Sequence, residues 1–242
     1  MARLLVANGC SLTRGAELAH PEREAWPAVL GDRLGITVVN LGCDGGSNRR
    51  VVRTSVATFE RACRDAGVAT EDALFVGMWT GLDRSEYLRT SPADSDPGNR
   101  RDVRPRLPYE ASWFRTATWR LATDAGSEAY YRHLWSEEGG TMNFVLDWLL
   151  LDGYLRARGA TARYVYGWDV LDSLPRPVAP PLRELADLVD RSAVYGREVL
   201  SSDTSFYSIS RAGEFSFGPG RHPLAPAHAH FAGLLADWCA DT

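Results

Sequence analysis

A serine and a histidine near opposite ends of the chain have the side chains best suited to covalent chemistry on a carbonyl group. Ser11 follows the apolar residues 4–7 on a strand-to-helix turn, where helix amides stabilise the negative charge of a developing oxyanion. His222 is held by the proline after it, just before a terminal helix, and is placed to act as a general base. The local sequence alone favours simpler roles, namely a helix N-cap for the serine and a surface-loop position for the histidine.

Two further segments contain candidate binding residues. Residues 40–48 form a glycine-rich turn in which Gly45 and its neighbours can adopt positive φ, so that backbone N–H groups converge on an anion. The turn lacks the G-x-G-x-x-G spacing of a dinucleotide site. Arg84 lies just past a third apolar run and either binds a polar substrate or belongs to a solvated loop. The aromatic residues at 113, 114 and 119 either line a pocket or, more commonly, pack their segment against the domain.

Composition excludes several classes of chemistry. The 27 positive charges are all arginine, and the chain has neither lysine nor glutamine. Without a lysine amine the protein forms no Schiff base, no P-loop and no serine–lysine dyad, so an activated serine must depend on histidine. The net charge of −4 predicts no nucleic-acid partner. A lysine-free chain rich in alanine and arginine is typical of a GC-rich bacterial genome.

Neither a metal nor a cofactor is predicted. His228 and His230 are two positions apart, so their side chains diverge on a helix, and this spacing argues against a metal site. Cys10, beside Ser11, is a rival nucleophile, but free cysteine is among the most buried residue types. The four cysteines form no C-x-x-C pair and are expected to be reduced thiols.

The N-terminal sequence predicts a cytoplasmic protein. Its apolar run is broken at residues 8–9, too early for the signal-peptide core of about 7–15 residues. No segment approaches the roughly 20 apolar residues of a membrane span, so we expect no membrane partner. Oligomeric state is not predicted by any feature of the sequence.

The pattern of apolar residues predicts the elements that position these groups. Their order at the start of the chain is β-α-β-α-β, which predicts an open, mostly parallel sheet of about five strands in a single domain spanning residues 1–242. Residues 80–127 are interpreted as an irregular insertion, with an exposed loop at 92–108, and residues 175–181 as a turn. The predicted strands are 4–7, 36–41, 72–79, 162–168 and 205–209, and the predicted helices are 22–34, 48–66, 127–158 with a break at 139–140, 182–200 and 226–239. Ligands of such sheets bind at the carboxyl ends of the strands.

The ordered segments resemble the SGNH (GDSL-type) hydrolases. Residues 9–13, Gly-Cys-Ser-Leu-Thr, are similar to the first block of that family in the variant where G-C-S-[FL]-T replaces G-D-S-L. Residues 40–45 resemble the second block. His222-Pro223, with Ala227-His228 in place of the usual Gly-His, resembles the last block.

The resemblance implies a flavodoxin-like, three-layer α/β/α fold and an acyl-enzyme mechanism on a small acylated substrate. Ser11 would be the nucleophile and His222 the base. The backbone N–H groups of Ser11 and Gly45, with a side-chain amide from the third block, would form the oxyanion hole. The third block has no asparagine here, so Thr80 or, preferably, Asn48 would supply that donor, although Asn48 is equally suited to cap its helix.

The last block departs from the family pattern in a second way. The family has an acidic residue two or three positions before the histidine, where this chain has Gly220 and Pro219. The acid is therefore missing, supplied from elsewhere, or replaced by a backbone carbonyl. Two other hypotheses remain. The first is a protein of the same fold that has lost hydrolysis and has a binding, accessory or acyl-transfer role. The second is a flavodoxin-like protein that binds a nucleotide. Hydrogen-bond reach between Ser11 Oγ and His222 Nε2 distinguishes the hydrolase from them.

Overall fold

The computed structural model describes residues 2–88, 113–169, 179–201 and 203–240. Four parallel strands form the central sheet, in the order β2-β1-β3-β6. They are β1 (Leu4–Asn8), β2 (Thr37–Asn40), β3 (Ala73–Trp79) and β6 (Thr161–Tyr166). The first three strands lie where the sequence predicts them, and β6 ends two residues before the predicted end at 168. The sheet therefore has four strands rather than about five within the described residues.

Side chains of the strands alternate between two hydrophobic cores, as the period of two in a strand requires. Leu4 and Val6 of β1 face one core, whereas Leu5 and Ala7 face the other. The helices are α1 (Ser11–Arg14), α2 (Pro21–Glu24), α3 (Trp26–Leu34), α4 (Asn48–Asp65), α5 (Ala125–His133), α6 (Glu137–Arg156), α7 (Pro180–Ala186), α8 (Phe206–Ala212) and α9 (Ala225–Ala240). Helices α3 and α9 pack on one face, and α4 and α6 pack on the other. The predicted three-layer α/β/α architecture is thus confirmed.

The predicted fifth strand, residues 205–209, is wrong because this segment forms helix α8. The Ser205 hydroxyl accepts a hydrogen bond of 2.9 Å from the Ser208 N–H, which starts the helix. Phe206 and Ser210, four positions apart, are both buried on the inner face of the helix. A run of five residues is too short for periodicity to separate a strand from a helix, and here the N-cap serine decides.

Two other helix boundaries also differ from the prediction. The long helix predicted over 182–200 ends at Ala186, and Val194 forms a single parallel bridge to Tyr164 at the edge of the sheet. The helix predicted over 127–158 is interrupted before Ser136 rather than at the glycines at 139–140. The Ser136 hydroxyl accepts from the Gly139 N–H at 3.1 Å, so both glycines lie in the first turn of α6.

The region predicted as an irregular insertion contains a two-stranded antiparallel sheet. It consists of β4 (Ser85–Leu88) and β5 (Trp113–Thr116). Buried Glu86 anchors this sheet to α4 by accepting two hydrogen bonds from Arg53, of 2.6 and 3.0 Å. The predicted loop at 92–108 lies outside the described residues, as does most of the predicted turn at 175–181. No helix in the described ranges has the length and apolar character needed to cross a membrane.

Candidate active site

Ser11 occupies the first position of α1, directly after the carboxyl end of β1. The N-cap position belongs to Cys10, so the serine hydroxyl does not cap the helix as its local sequence alone favours. Asn8 holds the preceding strand end, since its buried amide donates to the Val51 carbonyl at 3.0 Å and to two hydroxyl groups of α4. The serine is therefore presented by a strand end that is tied to the neighbouring helix.

His222 reaches Ser11 from the loop that precedes α9. Its Nε2 atom lies 2.9 Å from Ser11 Oγ, within the hydrogen-bond distance expected of a general base. The imidazole side chain is 20% exposed, and the ring of Trp168 stands edge-on to it with ring centres 6.3 Å apart. The two sequence-predicted residues, 211 positions apart, thus meet at the carboxyl end of the sheet.

Glu17 completes the relay at the other imidazole nitrogen. One carboxylate oxygen, Oε2, lies 2.9 Å from His222 Nδ1 and accepts from the His222 N–H at 3.2 Å. The other oxygen, Oε1, accepts from the Gly220 N–H at 2.8 Å. These bonds, the Gly220 bond above all, lower the pKa of Glu17 below its ordinary value. An ionised carboxylate here holds the Nδ1–H tautomer, which leaves Nε2 free to take the serine proton.

The loop before His222 has room for this carboxylate because it contains two glycines. A Cβ atom on Gly218 would lie 2.7 Å from the Glu17 carboxyl group, and one on Gly220 would lie 3.1 Å from Glu17 Oε2. The acid beside His222 therefore comes from the α1–α2 connection, and the two glycines leave space for it. The residues at 219 and 220 are consistent with this arrangement, since neither carries a side chain that could compete for the histidine.

Sequence reasoning left open where the orienting acid would come from, and it did not identify Glu17. This residue lies in the connection after the first block and has φ of +67°, a conformation that non-glycine residues seldom adopt. Four acidic residues, Glu17, Asp44, Asp83 and Asp169, follow strand ends at this edge of the sheet. The sequence carries no signal that separates them, because the choice depends on which loop lies beside His222.

Two backbone N–H groups are placed to stabilise an oxyanion. Gly45 is in the left-handed region with φ of +64°, and a Cβ there would lie 3.3 Å from the Trp119 ring. The Ser11 N–H is at the start of a helix, where N–H groups lack intrahelical acceptors. Neither N–H donates a hydrogen bond to the described residues. Their assignment as oxyanion donors stays a prediction, which this geometry supports.

Asn48 and Thr80 are brought together, but not into the space above Ser11. The Asn48 side-chain amide donates to the Thr80 carbonyl at 3.0 Å and accepts from the Thr80 N–H at 2.8 Å. Both residues are buried, and neither lines the cleft that contains Ser11. The pair ties the start of α4 to the end of β3. A role for Asn48 or Thr80 as an oxyanion donor stays a prediction, since neither residue lines the described part of the cleft.

A cleft of about 710 Å³ lies above the Ser11–His222–Glu17 group. Its described lining includes two indole rings, those of Trp119 and Trp168. It also includes four arginines and two carboxylate residues, which are Arg14, Arg84, Arg115, Arg120, Glu17 and Asp44. Of the predicted substrate-binding residues, Gly45 and Arg84 line this cleft. The described lining of the cleft therefore combines aromatic surface with more arginines than carboxylates.

Other residues singled out in the sequence have structural surroundings. Cys10 is fully buried in a core. His228 is also buried, and its Nδ1 accepts from the Trp26 N–H at 3.1 Å, while burial lowers its pKa to about 3. His230 packs against Phe215, with ring centres 5.2 Å apart. Of the aromatic residues in the insertion, Trp119 lines the cleft, whereas Trp113 lies under the Arg53 guanidinium.

A larger cleft, of about 860 Å³, lies at the opposite, amino end of the strands. It is lined by charged residues that bind one another, such as Asp152, which accepts from Arg156 Nε at 2.6 Å and from the Tyr164 hydroxyl at 3.2 Å. Its described lining contains neither a serine nor a histidine. Of these two clefts, the one at the carboxyl end of the sheet is therefore the one whose described lining includes a serine and a histidine.

A family model described as a family of unknown function (DUF6071) matches residues 13–242. The match includes Glu17 and His222. A search of curated protein sequences finds no match.

Comparison with solved structures finds similarity to the lipase Lip_vut3 from a goat rumen metagenome. The TM-score is 0.51 at 12% identity, over 98% of this chain and 97% of that one. A lipolytic protein of the G-D-S-L family from Veillonella parvula matches with a TM-score of 0.47 at 12% identity, covering 100% of this chain and 98% of that one. The salicylyl-acyltransferase SsfX3 from a tetracycline biosynthetic pathway matches with a TM-score of 0.46 at 15% identity, over 100% of this chain and 55% of that one. At these identities the likeness to Lip_vut3 shows a shared fold.

Proposed function

The chain belongs to the DUF6071 family, a family of unknown function, and from its own site we propose that it is a serine ester hydrolase acting on a small acylated molecule. The observation that carries the proposal is the continuous hydrogen-bond relay from Ser11 through His222 to Glu17. A serine hydroxyl is a weak nucleophile by itself and becomes reactive when a base accepts its proton. The relay supplies both that base and the carboxylate that orients it.

In the proposed first half-reaction, Ser11 Oγ attacks the ester carbonyl carbon while its proton passes to His222 Nε2. The carbonyl oxygen becomes an oxyanion, which the N–H groups of Ser11 and Gly45 stabilise. Loss of one such donor typically slows an enzyme by about 10²–10³. The tetrahedral intermediate then collapses, the bond to the leaving alcohol breaks, and the alcohol takes the proton from His222. The acyl group is left on Ser11 as an ester.

The second half-reaction regenerates the enzyme. Water gives a proton to His222 Nε2 and attacks the acyl carbon, and the carboxylic acid departs as Ser11 Oγ recovers the proton. Glu17 stays ionised throughout and stabilises the imidazolium that forms in each half-reaction. The hypothesis that hydrolysis has been lost depended on a missing acid and on a missing third-block asparagine, and Glu17 supplies a carboxylate beside the histidine.

Removal of the nucleophile is the direct test. The Ser11→Ala variant is expected to lose hydrolysis of short-chain 4-nitrophenyl esters by about 10⁶ in kcat, as loss of a serine nucleophile does elsewhere. It should also lose covalent labelling by a fluorophosphonate probe, detected by intact-protein mass spectrometry. Ser192→Ala, an exposed serine outside the cleft, is the matched control and should keep both properties.

Unchanged turnover or labelling in Ser11→Ala would exclude the proposed mechanism. Adding a primary alcohol to the assay tests the acyl-transfer alternative, because an acyl-enzyme divides between water and a competing nucleophile. A product formed mainly with the alcohol at millimolar concentration would identify a transferase rather than a hydrolase.

A cytoplasmic location remains a prediction.

A further inference from the structure

Guanidinium groups outnumber carboxylates among the described residues that line the catalytic cleft. There are four arginines and two carboxylate residues. Both carboxylates have partners within the cleft, since Glu17 binds His222 and Asp44 lies 3.3 Å from Arg14 Nη1. A concave surface with this balance of charge raises the local concentration of anionic molecules.

Arg84 lines this cleft beside the rings of Trp119 and Trp168. Its Nη1 atom donates to Thr80 Oγ1 at 2.8 Å. Its guanidinium carbon lies 4.7 Å from the centre of the Trp119 ring. No carboxylate of the described residues lies within salt-bridge distance of it. Its Nε atom is buried and has no hydrogen-bond partner among the residues that the structure describes.

The contacts that Arg84 does make leave one edge of its guanidinium unsatisfied. Nη1 is used by Thr80 and the flat face by Trp119, whereas Nε and Nη2 donate to none of the described residues. These two donors form the side-on pair that binds a carboxylate or phosphate bidentately. A buried donor without a partner is unfavourable, so an anion that reached this edge would satisfy it.

We propose that the substrate is an ester carrying a carboxylate or phosphate group, and that Arg84 binds this anion. The inference rests on the hydrolase activity proposed above and adds the chemical class of its substrate. Trp119, with its ring against the guanidinium, limits the orientations of Arg84 and so reduces the entropy lost when the anion binds.

The position of Trp168 supports a single molecule spanning both sites. Its ring centre is 6.3 Å from that of His222 and 6.0 Å from the Arg84 guanidinium carbon. One indole ring therefore separates the reacting histidine from the anion-binding arginine. A small ester can place its carbonyl at Ser11 and its charged group at Arg84 within the same cleft.

The test compares kcat/KM for matched esters. A neutral 4-nitrophenyl butyrate is set against mono-4-nitrophenyl glutarate, with the carboxylate on the acyl side, and against acetylated glycerol 3-phosphate, with a phosphate on the alcohol side. We expect the wild type to prefer at least one anionic ester by tenfold or more. Arg84→Met should reduce that preference by about 10–100-fold, the range for a lost hydrogen bond to a charged group. The ester that shows the effect identifies the anion and the side of the substrate that bears it.

Two further variants test whether the lost preference for anionic esters comes from the lost donors of Arg84 rather than from a lost positive charge or from misfolding. Arg84→Lys keeps the positive charge but not the side-on pair of donors, so it should recover less than half of the lost preference on a logarithmic scale. Arg64→Met removes an exposed arginine at the far end of α4, outside the cleft, and should leave the preference unchanged. Thermal unfolding of each variant checks that the fold is intact.

A binding measurement keeps the inference separate from the proposed activity. Tryptophan fluorescence is titrated with glutarate and with glycerol 3-phosphate, because Trp119 and Trp168 lie beside Arg84. We expect saturable binding of at least one anion to the wild type, weakened tenfold or more in Arg84→Met. Equal binding by both proteins, or the absence of any ester preference in an active wild type, would overturn the inference while leaving the hydrolase proposal intact. Inactivity towards every ester together with Arg84-dependent anion binding would overturn the hydrolase proposal and support the anion site.

Discussion

The two sides of the catalytic cleft differ in how far their hydrogen bonds are completed within the protein. On the catalytic side, the Glu17 carboxylate and both ring nitrogens of His222 already have partners at 2.8–3.2 Å. On the arginine side, Arg84 is held by Thr80 and Trp119, but its buried Nε donates to no acceptor in the described part of the chain. The first side is organised before substrate binds, as electrostatic catalysis requires. The second is the side that a charged ligand would complete.

The difference also appears in how each side depends on the rest of the chain. The catalytic relay joins residues separated by 205 and 211 positions, so it exists only where two loops meet. Arg84 is four positions from the hydroxyl that orients it. A change on the catalytic side should therefore alter turnover of every ester, whereas a change on the arginine side should alter the choice among esters.

The largest effect in this comparison is expected from Glu17→Gln. The substitution removes the charge that stabilises the imidazolium and disturbs the tautomer of His222, which costs about 10⁴ in kcat when the corresponding acid is lost in a Ser-His-Asp enzyme. Because the Glu17 side chain is 25% exposed, we expect a loss of about 10²–10⁴, similar for neutral and anionic esters. Steady-state kinetics with both ester types measures it.

Glu138→Gln, an exposed glutamate on α6, is the matched control and should keep wild-type kinetics. The pKa of Glu17 lies below its ordinary 4.5, so its carboxylate form persists as the pH falls through that value. An unaltered rate in Glu17→Gln would mean that the carboxylate does not act through the histidine.

A smaller effect, again on the catalytic side, is expected from Gly218→Ala. The added Cβ would lie 2.7 Å from the Glu17 carboxyl group, which forms the end of a flexible side chain and can move aside. The fold should persist, while the displaced carboxylate no longer aligns His222. A misplacement of about 1 Å can cost 10² in rate, so we expect a 10–100-fold lower kcat with little change in Tm.

Gly153→Ala tests whether any added methyl group has this effect. Apart from the backbone of α6 itself, no atom of the described residues lies within 4 Å of a Cβ at this position, so activity and Tm should both stay near wild type. If Gly218→Ala retained full activity, the tight fit between the two loops would have no bearing on catalysis.

The smallest effect is expected on the arginine side, from Thr80→Val. The variant removes the hydroxyl that accepts from Arg84 Nη1, and the branched shape of the side chain is preserved. Arg84 should lose orientation but remain in place on Trp119, so the preference for anionic esters should fall about three- to tenfold, the range for one hydrogen bond. The ratio of kcat/KM values measures it. An equal fall in kcat/KM for neutral and anionic esters would instead indicate that Thr80 helps to stabilise the oxyanion.

The accuracy of the sequence predictions differs between the two halves of the chain. The β-α-β-α-β order up to Trp79 is confirmed, because continuous apolar runs in the strands and apolar spacing of period 3.6 in the helices are local properties. The segment at 205–209 was predicted as a strand but is a helix, since five residues carry too little periodicity and the Ser205 cap decides. The helix predicted over 182–200 is also wrong, because Val194 makes a sheet contact whose partner is distant in sequence.

The sequence by itself determined the β-α-β-α-β order up to Trp79, the strand end that Ser11 follows and the position of His222 just before the terminal helix. It also excluded every mechanism that needs lysine. Only the tertiary structure decided that Glu17 is the carboxylate beside His222 and that Arg84 shares a cleft with Ser11. The physical reason is that each of these contacts depends on the space between two loops. Gly218 leaves space for the Glu17 carboxylate, and that space cannot be read from the sequence of either loop alone.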